Sequence, residues 1–389
     1  MENSPPTTDS RSAIVAGAGI GGLATALALR NDGWEVEVWE RAERLDPLGA
    51  GLALWPNAVL ALRALGVADA IVGPHTPRGE AALRDAHGTL LASTSPRVFE
   101  DRYGAPLVVV HRATLQDALR DALGADRIRL GREIASVEPD GVVVGAGGGG
   151  ATARAQVVVA ADGIHSTVRR SLGLAGPLRP SGLAAVRAVV PWSAPVPSGE
   201  WWGRGVAFGM AQLSGEEVYW YCAAHDALET LDGPGLRGWL AEAAGGFAEP
   251  VGALVQATPD ARLLVHRLED REPALPWGTG RVTAVGDAAH PILPFLGQGA
   301  CCALEDAVAL AAALTDTGAG DDAEPALRAY ERARLPRAQK LFQGSRRAAK
   351  VATARSRLGG AARNALVRNG PSSVRMRQFD DAIGPAAGT

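Results

Sequence analysis

The sequence predicts an α/β protein: a Rossmann-type dinucleotide-binding domain assembled from discontinuous segments, a second domain built on an antiparallel sheet, and C-terminal helices. Three observations predict it. A β-rich run, a glycine turn and an apolar helix open the chain between residues 12 and 29. Two further strand-then-glycine segments follow far downstream, at 157–163 and 281–286. Between them, over 184–224, the texture shifts to short alternating strands rich in Trp and Tyr. At 389 residues the chain is long for a single core, so two domains are the default.

The elements follow in order. Residues 12–16 are β-rich, 19–29 helical, and 35–40 alternate apolar and acidic side chains, which is a β-α-β unit of about 30 residues. Residues 57–65 read as a helix stopped by Gly66, and 112–123 as another closed by Gly124. Strands at 142–144 and 157–160 flank a glycine-rich stretch, Gly145 to Gly150, that also satisfies G-x-G-x-x-G. No amphipathic helix follows it, because 152–159 reads as a strand. A phosphate loop needs a helix N-terminus, so this stretch is a flexible hairpin tip and not a second nucleotide site. Strands at 186–190, 206–210 and 218–222, with a turn at Ser214-Gly215, sit among Trp192, Trp201, Trp202, Tyr219, Trp220 and Tyr221. Helices are expected at 235–244 and 250–255, a buried strand at 281–285, and a long apolar helix at 300–314. The domains that result are 1–75, 105–180 and 275–340 for the cofactor, 76–104 and 181–274 for the substrate, and 341–389 as a helical tail.

Composition excludes several functions. A net charge of −3 does not suggest nucleic-acid binding. The cysteines, Cys222, Cys301 and Cys302, lack ligand-like spacing, so no metal site is expected and the thiols should be reduced, as in the cytoplasm. The polar start, residues 1–12, is no signal peptide, and no run of about 20 apolar residues spans a membrane. Lys340 and Lys350 are the only lysines, which excludes a Walker or Schiff-base lysine in the main body. From Lys340 onward Arg346, Arg347, Arg355, Arg357, Arg363, Arg368, Arg375 and Arg377 face only Asp380 and Asp381. A solvated basic helix face is the plain reading, and a peripheral membrane or phosphate contact the sharper one.

Three segments carry the chemistry. In Gly17-Ala18-Gly19-Ile20-Gly21-Gly22, Gly17 permits the turn, Gly19 lets backbone approach a pyrophosphate, and Gly22 lets helix and strand pack closely. The helix N-terminus offers unpaired N–H donors to the phosphates. Glu40, with Arg41 beside it, ends the second strand about 20 residues on, suited to the adenosine ribose. Asp162-Gly163 follows the second strand and precedes a helix that carries Arg169; an ordinary Asp cap is the competing reading. Gly286-Asp287-Ala288-Ala289-His290-Pro291 follows the third, and Pro294 stiffens the loop before Gly297-Gln298-Gly299 opens the helix at Ala300. N–H groups there suit the negative charge of a reduced flavin, and the Asp287 carboxylate suits ribityl or ribose hydroxyls. Together the segments point to FAD.

In this order and spacing they resemble the FAD-dependent monooxygenases of the aromatic-hydroxylase type, the class A flavoprotein hydroxylases. The stretches Gly49-Ala50-Gly51-Leu52-Ala53-Leu54-Trp55-Pro56-Asn57 and His111-Arg112-Ala113-Thr114-Leu115 add to the resemblance, which covers roughly 14–341. It implies a glutathione-reductase-like FAD domain with a sheet-based substrate domain. NADPH or NADH would bind transiently, without a second Rossmann unit, and O2 would be the other co-substrate. It implies Arg112 at the FAD phosphates or ribose, Gly51, Leu52 and Ala53 along the pyrimidine edge, Asp162 and Arg169 serving FAD and the nicotinamide, and residues 294–300 lining the isoalloxazine. It further implies oxygen transfer from a flavin C4a-hydroperoxide to an aromatic or other electron-rich small molecule, in a site that excludes water.

Tyr219 and Tyr221 share a strand face and are the substrate-facing candidates. Arg204 precedes the neighbouring strand and could hold an anion, though it is no base. Phe295 stands where some relatives carry a carboxylate, which favours a more hydrophobic substrate. His290 and His225 are acid–base candidates, with a structural role favoured for His290. No catalytic residue is assigned beyond Arg204, Tyr219, Tyr221 and His290. Epoxidation, Baeyer–Villiger insertion and a non-catalytic FAD-binding role stay open, as does a homodimer. Halogenation does not, because no lysine precedes Lys340 and Trp192-Ser193-Ala194-Pro195 is not a Trp-x-Trp-x-Ile-Pro stretch. The composition is associated with bacterial secondary metabolism.

Overall fold

The computed structural model describes residues 10–45, 50–76, 79–147 and 150–384. The chain begins with β1 (Ser12–Ala16), α1 (Ile20–Asn31) and β2 (Glu35–Trp39), the expected β-α-β unit. Then come β3 (Gly51–Leu54), α2 (Pro56–Ala64), α3 (Val72–His75), β4 (Ala81–Asp85), β5 (Leu90–Thr94) and α4 (Arg97–Tyr103). Next are β6 (Val108–His111), α5 (Arg112–Leu123), β7 (Ile128–Arg129), β8 (Ile134–Val137), β9 (Val142–Gly145), β10 (Thr152–Arg154), β11 (Val157–Ala160) and α6 (Thr167–Ser171). The second half holds β12 (Arg179–Pro191), β13 (Gly199–Trp202), β14 (Ala207–Gln212), β15 (Glu217–His225), α7 (Gly233–Gly245), α8 (Val251–Ala257), β16 (Leu264–Asp270) and β17 (Val282–Ala284). It closes with α9 (Gly299–Leu314), α10 (Glu324–Ala352), α11 (Arg357–Asn369) and α12 (Ser372–Ile383).

A parallel sheet in the order β17-β11-β1-β2-β7 gathers the three motif strands side by side, with β1 at the centre. Its strands are nearly all apolar because a parallel sheet is covered on both faces. Val15, Val38, Val158 and Ala284 share one core with Leu23 and Leu27 of α1 and Leu304 and Leu310 of α9.

The second large sheet runs β16-β12-β15-β14-β13-β4-β5 and is antiparallel except where β13 meets β4. Its strands alternate. Val186, Ala188, Phe208, Met210, Trp220 and Cys222 bury one face against Leu236 and Leu240 of α7 and Leu254 of α8. The intervening residues, Arg187, Tyr219 and Tyr221 among them, take the opposite face.

Two expectations need correction. Residues 152–159 are not one strand. β10 pairs back on β9, whereas β11 joins the parallel sheet, and the chain breaks at Gln156, whose N–H donates to the Ser12 hydroxyl. Gly148 and Gly149, at the glycine-rich tip, lie outside the described residues, as do residues 1–9 of the N-terminal segment and Gly49. The C-terminal segment is also less solvated than expected. α10 passes through residue 341 without a break, and α12 folds back so that Asp380 meets Arg102 and Tyr103 while Phe379 packs on Trp55 and Phe99.

Candidate active site

The first glycine turn rests on the second motif. Gly17 has φ +102°, and a Cβ there would stand 2.7 Å from the Ala161 carbonyl oxygen and 3.3 Å from Asp162 Cα. A Cβ on Gly22 would meet the Gly17 oxygen at 1.9 Å, so only glycine allows α1 this close to its own turn. Gly19, by contrast, caps α1 with extended backbone and has no atom within 4 Å of its would-be Cβ. No side chain caps α1, so the first N–H groups, at Ile20, Gly21 and Gly22, face open space. Glu40 holds this loop from below. One carboxylate oxygen accepts from the Ala18 N–H (2.7 Å) and the other from the Ala42 N–H (2.9 Å). Arg41 beside it is exposed.

The third motif packs onto the first through a single side chain. A Cβ on Gly21 would lie 3.3 Å from Ala303 Cβ, and one on Gly286 would lie 3.1 Å from the same atom. The N-termini of α1 and α9 are thereby set side by side. α9 also lacks a side-chain cap, and nothing lies within 4 Å of a Cβ on Gly299. Gln298, before it, is buried; its carbonyl oxygen accepts from Asn57 (3.0 Å), while its own NH2 group and Asn57 Oδ1 find no partner. Gly297 lies against the Trp55 indole nitrogen, itself unpartnered. Ala300 and Pro294 frame this N-terminus, with Pro294 exposed. Two uncapped helix starts facing open space, ringed by orphaned polar atoms, fit a bound dinucleotide with a polar heterocycle.

Asp287 is accessible, yet enough protein surrounds it that desolvation raises its pKa, against the opposing charges of His290 and Arg112. Arg112, at the start of α5, lies close enough to act on Asp287. Its N–H donates to the Ala50 carbonyl, and its exposed guanidinium has no protein acceptor among the described residues. Gly51, Leu52 and Ala53 form β3, paired antiparallel to β6 with Gly51 opposite His111.

Two expected ligands also brace the fold. Asp162 Oδ2 accepts from the Thr167 and Val168 N–H groups (2.7 and 3.1 Å), the helix-cap reading, while Oδ1 is buried without a partner. Arg169 is only 4% exposed and donates to the Ala288, Ala289 and Pro276 carbonyls. Desolvation, then the neighbouring Arg271, lowers its pKa to about 10. It ties the second motif to the third from behind. His290 is likewise withdrawn from any catalytic role. It is buried, with Nε2 2.6 Å from Asp306, whose carboxylate also accepts from the Gly286 N–H (2.9 Å) and Arg334 (2.7 Å). Burial alone would lower the His290 pKa, but the Asp306 charge and hydrogen bond raise it overall. Burial would raise Asp306, yet His290, Arg334 and the N–H bond drive it well below the carboxylate range.

Opposite the two helix starts stands the sheet face. The Tyr219 ring lies directly on β3: a Cβ on Gly51 would be 2.4 Å from its Cγ. Tyr221 lies over Gly209 and is 5.9 Å from Tyr219, centroid to centroid. Tyr221 donates its hydroxyl to Glu200, which also accepts from Trp202 Nε1 (3.0 Å). Desolvation raises both Tyr219 and Tyr221, so both phenols stay protonated near neutral pH; the Glu200 charge adds to the effect at Tyr221, and Arg187 opposes it at both. Desolvation raises Glu200 too, against those two hydrogen bonds. Phe295 is half-buried beside Leu183, Ala185 and Leu293 at the edge of this face.

Arg204 is not here. It sits exposed in the β13–β14 turn, donates to the Arg355 carbonyl (2.8 Å), and lines a separate cleft with His225, Leu228 and Trp239. The cation on the tyrosine face is Arg187, opposite Tyr221 in the β12–β15 register. It is half-buried, has no hydrogen bond or ion pair to a protein group among the described residues, and is close enough to influence Tyr219, Tyr221 and His266. Sequence reading missed Arg187, Glu200 and His266. The available signal was one arginine inside Ala184-Ala185-Val186-Arg187-Ala188-Val189, a run otherwise apolar.

Residues 10–345 match the family described as FAD binding domain. The chain belongs to the class A FAD-dependent aromatic monooxygenases. It is 38% identical over 353 residues to 3-amino-4-hydroxybenzoate 2-monooxygenase of Streptomyces cremeus, covering 88% of this chain and 87% of that protein. It is 34% identical over 343 residues to aurachin C monooxygenase/isomerase of Stigmatella aurantiaca, with 87% and 88% covered. Among solved structures, Klebsiella pneumoniae HpxO complexed with FAD and uric acid superposes with a TM-score of 0.86 at 29% identity, over 96% of each chain. This monooxygenase is therefore an FAD enzyme that hydroxylates an aromatic small molecule with NAD(P)H and O2, and the epoxidase, Baeyer–Villiger and non-catalytic readings lack such support.

Proposed function

We propose that this monooxygenase hydroxylates an electron-rich aromatic ring bearing an anionic or ionisable oxygen, bound between the Tyr219–Tyr221 face and the N-terminus of α9. FAD, when bound and reduced by NAD(P)H, would activate O2, which supplies the transferred oxygen atom, the other leaving as water. The chain's own residues do the rest. The N–H groups of Ile20, Gly21 and Gly22 and the Arg112 guanidinium would hold the pyrophosphate. Glu40 and Asp287 would accept from its sugar hydroxyls. Gly51, Leu52 and Ala53 would flank the heterocycle, and the Gly299 and Ala300 N–H groups would stabilise negative charge on it. Arg169 positions the second motif, and Asp162 does so through Oδ2 while its Oδ1 is left for a ligand.

The half-buried, unpaired guanidinium of Arg187 carries the substrate reading. A partly desolvated cation without a protein partner is placed to receive a ligand's counter-charge. Tyr221, held by Glu200, offers its oxygen to a substrate hydroxyl, while Tyr219 and Phe295 keep the ring in apolar surroundings and water away. The relatives named for an aminohydroxybenzoate, a hydroxybenzoate and urate support this chemistry, since each of those compounds joins a ring to an ionisable oxygen. The test is a panel of phenols and aminophenols, with and without a carboxylate, scored for stimulated NAD(P)H oxidation and a mass gain of one oxygen. Turnover of members with a free ionisable oxygen over analogues with every such oxygen methylated supports the proposal. Equal turnover of the blocked and free compounds overturns it.

A further inference from the structure

Helix α11 carries its amphipathic pattern the wrong way round for a helix packed on a protein. Leu358, Ala361, Ala362, Ala365 and Leu366 fall at the i, i+3, i+4, i+7, i+8 spacing of one helix face. All are exposed, Leu358 at 85% and Leu366 at 75%. The side turned inward is mixed, with Gly360, Arg363, Asn364 and Val367 half-buried. Arg363 donates to the Val351 and Ala352 carbonyls and stacks 5.0 Å from the Trp202 ring. Val351 and Val374, on the flanking helices, are exposed large apolar residues as well.

The charge along this segment of the chain has one sign. No acidic residue occurs between Glu331 and Asp380. Among the described residues, Arg355, Arg357, Arg368 and Arg377 pair with no carboxylate. A second copy of the chain docking through a two-fold axis would set Arg357 and Arg368 against their own counterparts, with nothing on α11 to offset them. An anionic lipid surface satisfies both features at once, taking the leucines at the headgroup boundary and the arginines at the phosphates. No helix among the described residues is long and apolar enough to cross a membrane, so the contact is peripheral.

We infer that α11 is a membrane-surface contact, laying Leu358 and Leu366 into an anionic bilayer with Arg357 and Arg368 at its phosphates. Its inner side touches Trp202, which hydrogen-bonds the Glu200 that holds Tyr221, so docking would set the outer edge of the tyrosine face against the lipid.

The test is sedimentation of the FAD-loaded enzyme with vesicles of phosphatidylcholine alone or with phosphatidylglycerol added, alongside light scattering for mass. Binding to the anionic vesicles, weakened at least tenfold by added salt and by the L358E/L366E double variant, is the expected result, with flavin content and basal NAD(P)H oxidation unchanged. R357Q/R368Q should weaken it while leaving the leucines in place. Failure of the wild-type enzyme to sediment with anionic vesicles, or equal sedimentation of the double variant, overturns the inference. So does a dimer that L358E/L366E splits, which would assign the stripe to a second copy.

Discussion

Replacing Gly19 by alanine separates a cofactor effect from a folding effect. The backbone at Gly19, φ −71° and ψ 176°, is open to any residue, and a Cβ there would meet no protein atom within 4 Å. Alanine caps a helix less well than glycine, by roughly 0.5 kcal/mol, but it restricts the unfolded chain by a comparable ~0.4–1 kcal/mol. The two nearly cancel, so apo Gly19→Ala should unfold within about 2 °C of the wild type. The added methyl would occupy the space through which phosphate oxygens reach the first N–H groups of α1. Losing one charge-assisted hydrogen bond there costs about 1.5–3 kcal/mol, a rise of roughly 10- to 150-fold in the FAD dissociation constant. Fluorescence titration of apo-protein with FAD, beside thermal unfolding of the same preparation, reads both quantities. Gly22→Ala is the control: its Cβ, 1.9 Å from the Gly17 oxygen, must displace α1 and should cost about 1–3 kcal/mol of apo stability as well. Unaltered FAD affinity in Gly19→Ala, or apo destabilisation equal to that of Gly22→Ala, would refute the reasoning.

Arg187→Met should raise KM for an anionic substrate about 10- to 100-fold while the FAD dissociation constant holds, checked by steady-state kinetics and FAD titration. Tyr221→Phe should leave flavin content intact but release more hydrogen peroxide per NAD(P)H, because the substrate loses an anchoring hydrogen bond; a peroxide assay measures it. The His290–Asp306 pair predicts an asymmetric pH dependence of apo stability. The folded pKa of His290 is raised, so its contribution is complete below the unfolded value of about 6.5 and fades as pH climbs through the folded value. Asp306 is depressed, so its contribution is complete above about 3.9 and fades as pH falls. Melting temperatures across pH 2–9 should show both flanks, the acid one below pH 4, and His290→Gln should abolish the alkaline one. Asp306→Asn, which strips Arg334 of a buried partner, should cost about 3–5 kcal/mol, measured by denaturant unfolding.

The cofactor half of the molecule was legible because its constraints are local. A tight turn, a close helix and an uncapped N-terminus each demand a glycine at a fixed offset, and Gly17, Gly19, Gly22 and Gly286 stand where those demands fall. Asp162 and Arg169 mark the limit of that reading. The sequence places them beside the cofactor segments, but the direction of a side chain depends on carbonyls contributed 107 to 120 residues away. The substrate face was harder still. Alternation identified Tyr219 and Tyr221 as neighbours on one face, yet the cation beside them comes from β12, paired through a register that no short-range pattern encodes. Arg204 looked eligible by proximity in sequence, and the β13–β14 turn carries it to the far cleft. The basic tail was legible only in its charge. Its arginines are visible in the sequence, whereas the inversion of α11 depends on which side meets Trp202.

The most direct test is a crystal structure of the FAD-loaded enzyme with an aromatic substrate that it turns over. The account predicts the substrate's anionic group within hydrogen-bond distance of Arg187, its ring between Tyr219 and the isoalloxazine, and the pyrophosphate on the α1 N-terminus. A substrate seated instead in the cleft of Arg204, His225 and Trp239, with Arg187 left unpaired, would contradict it.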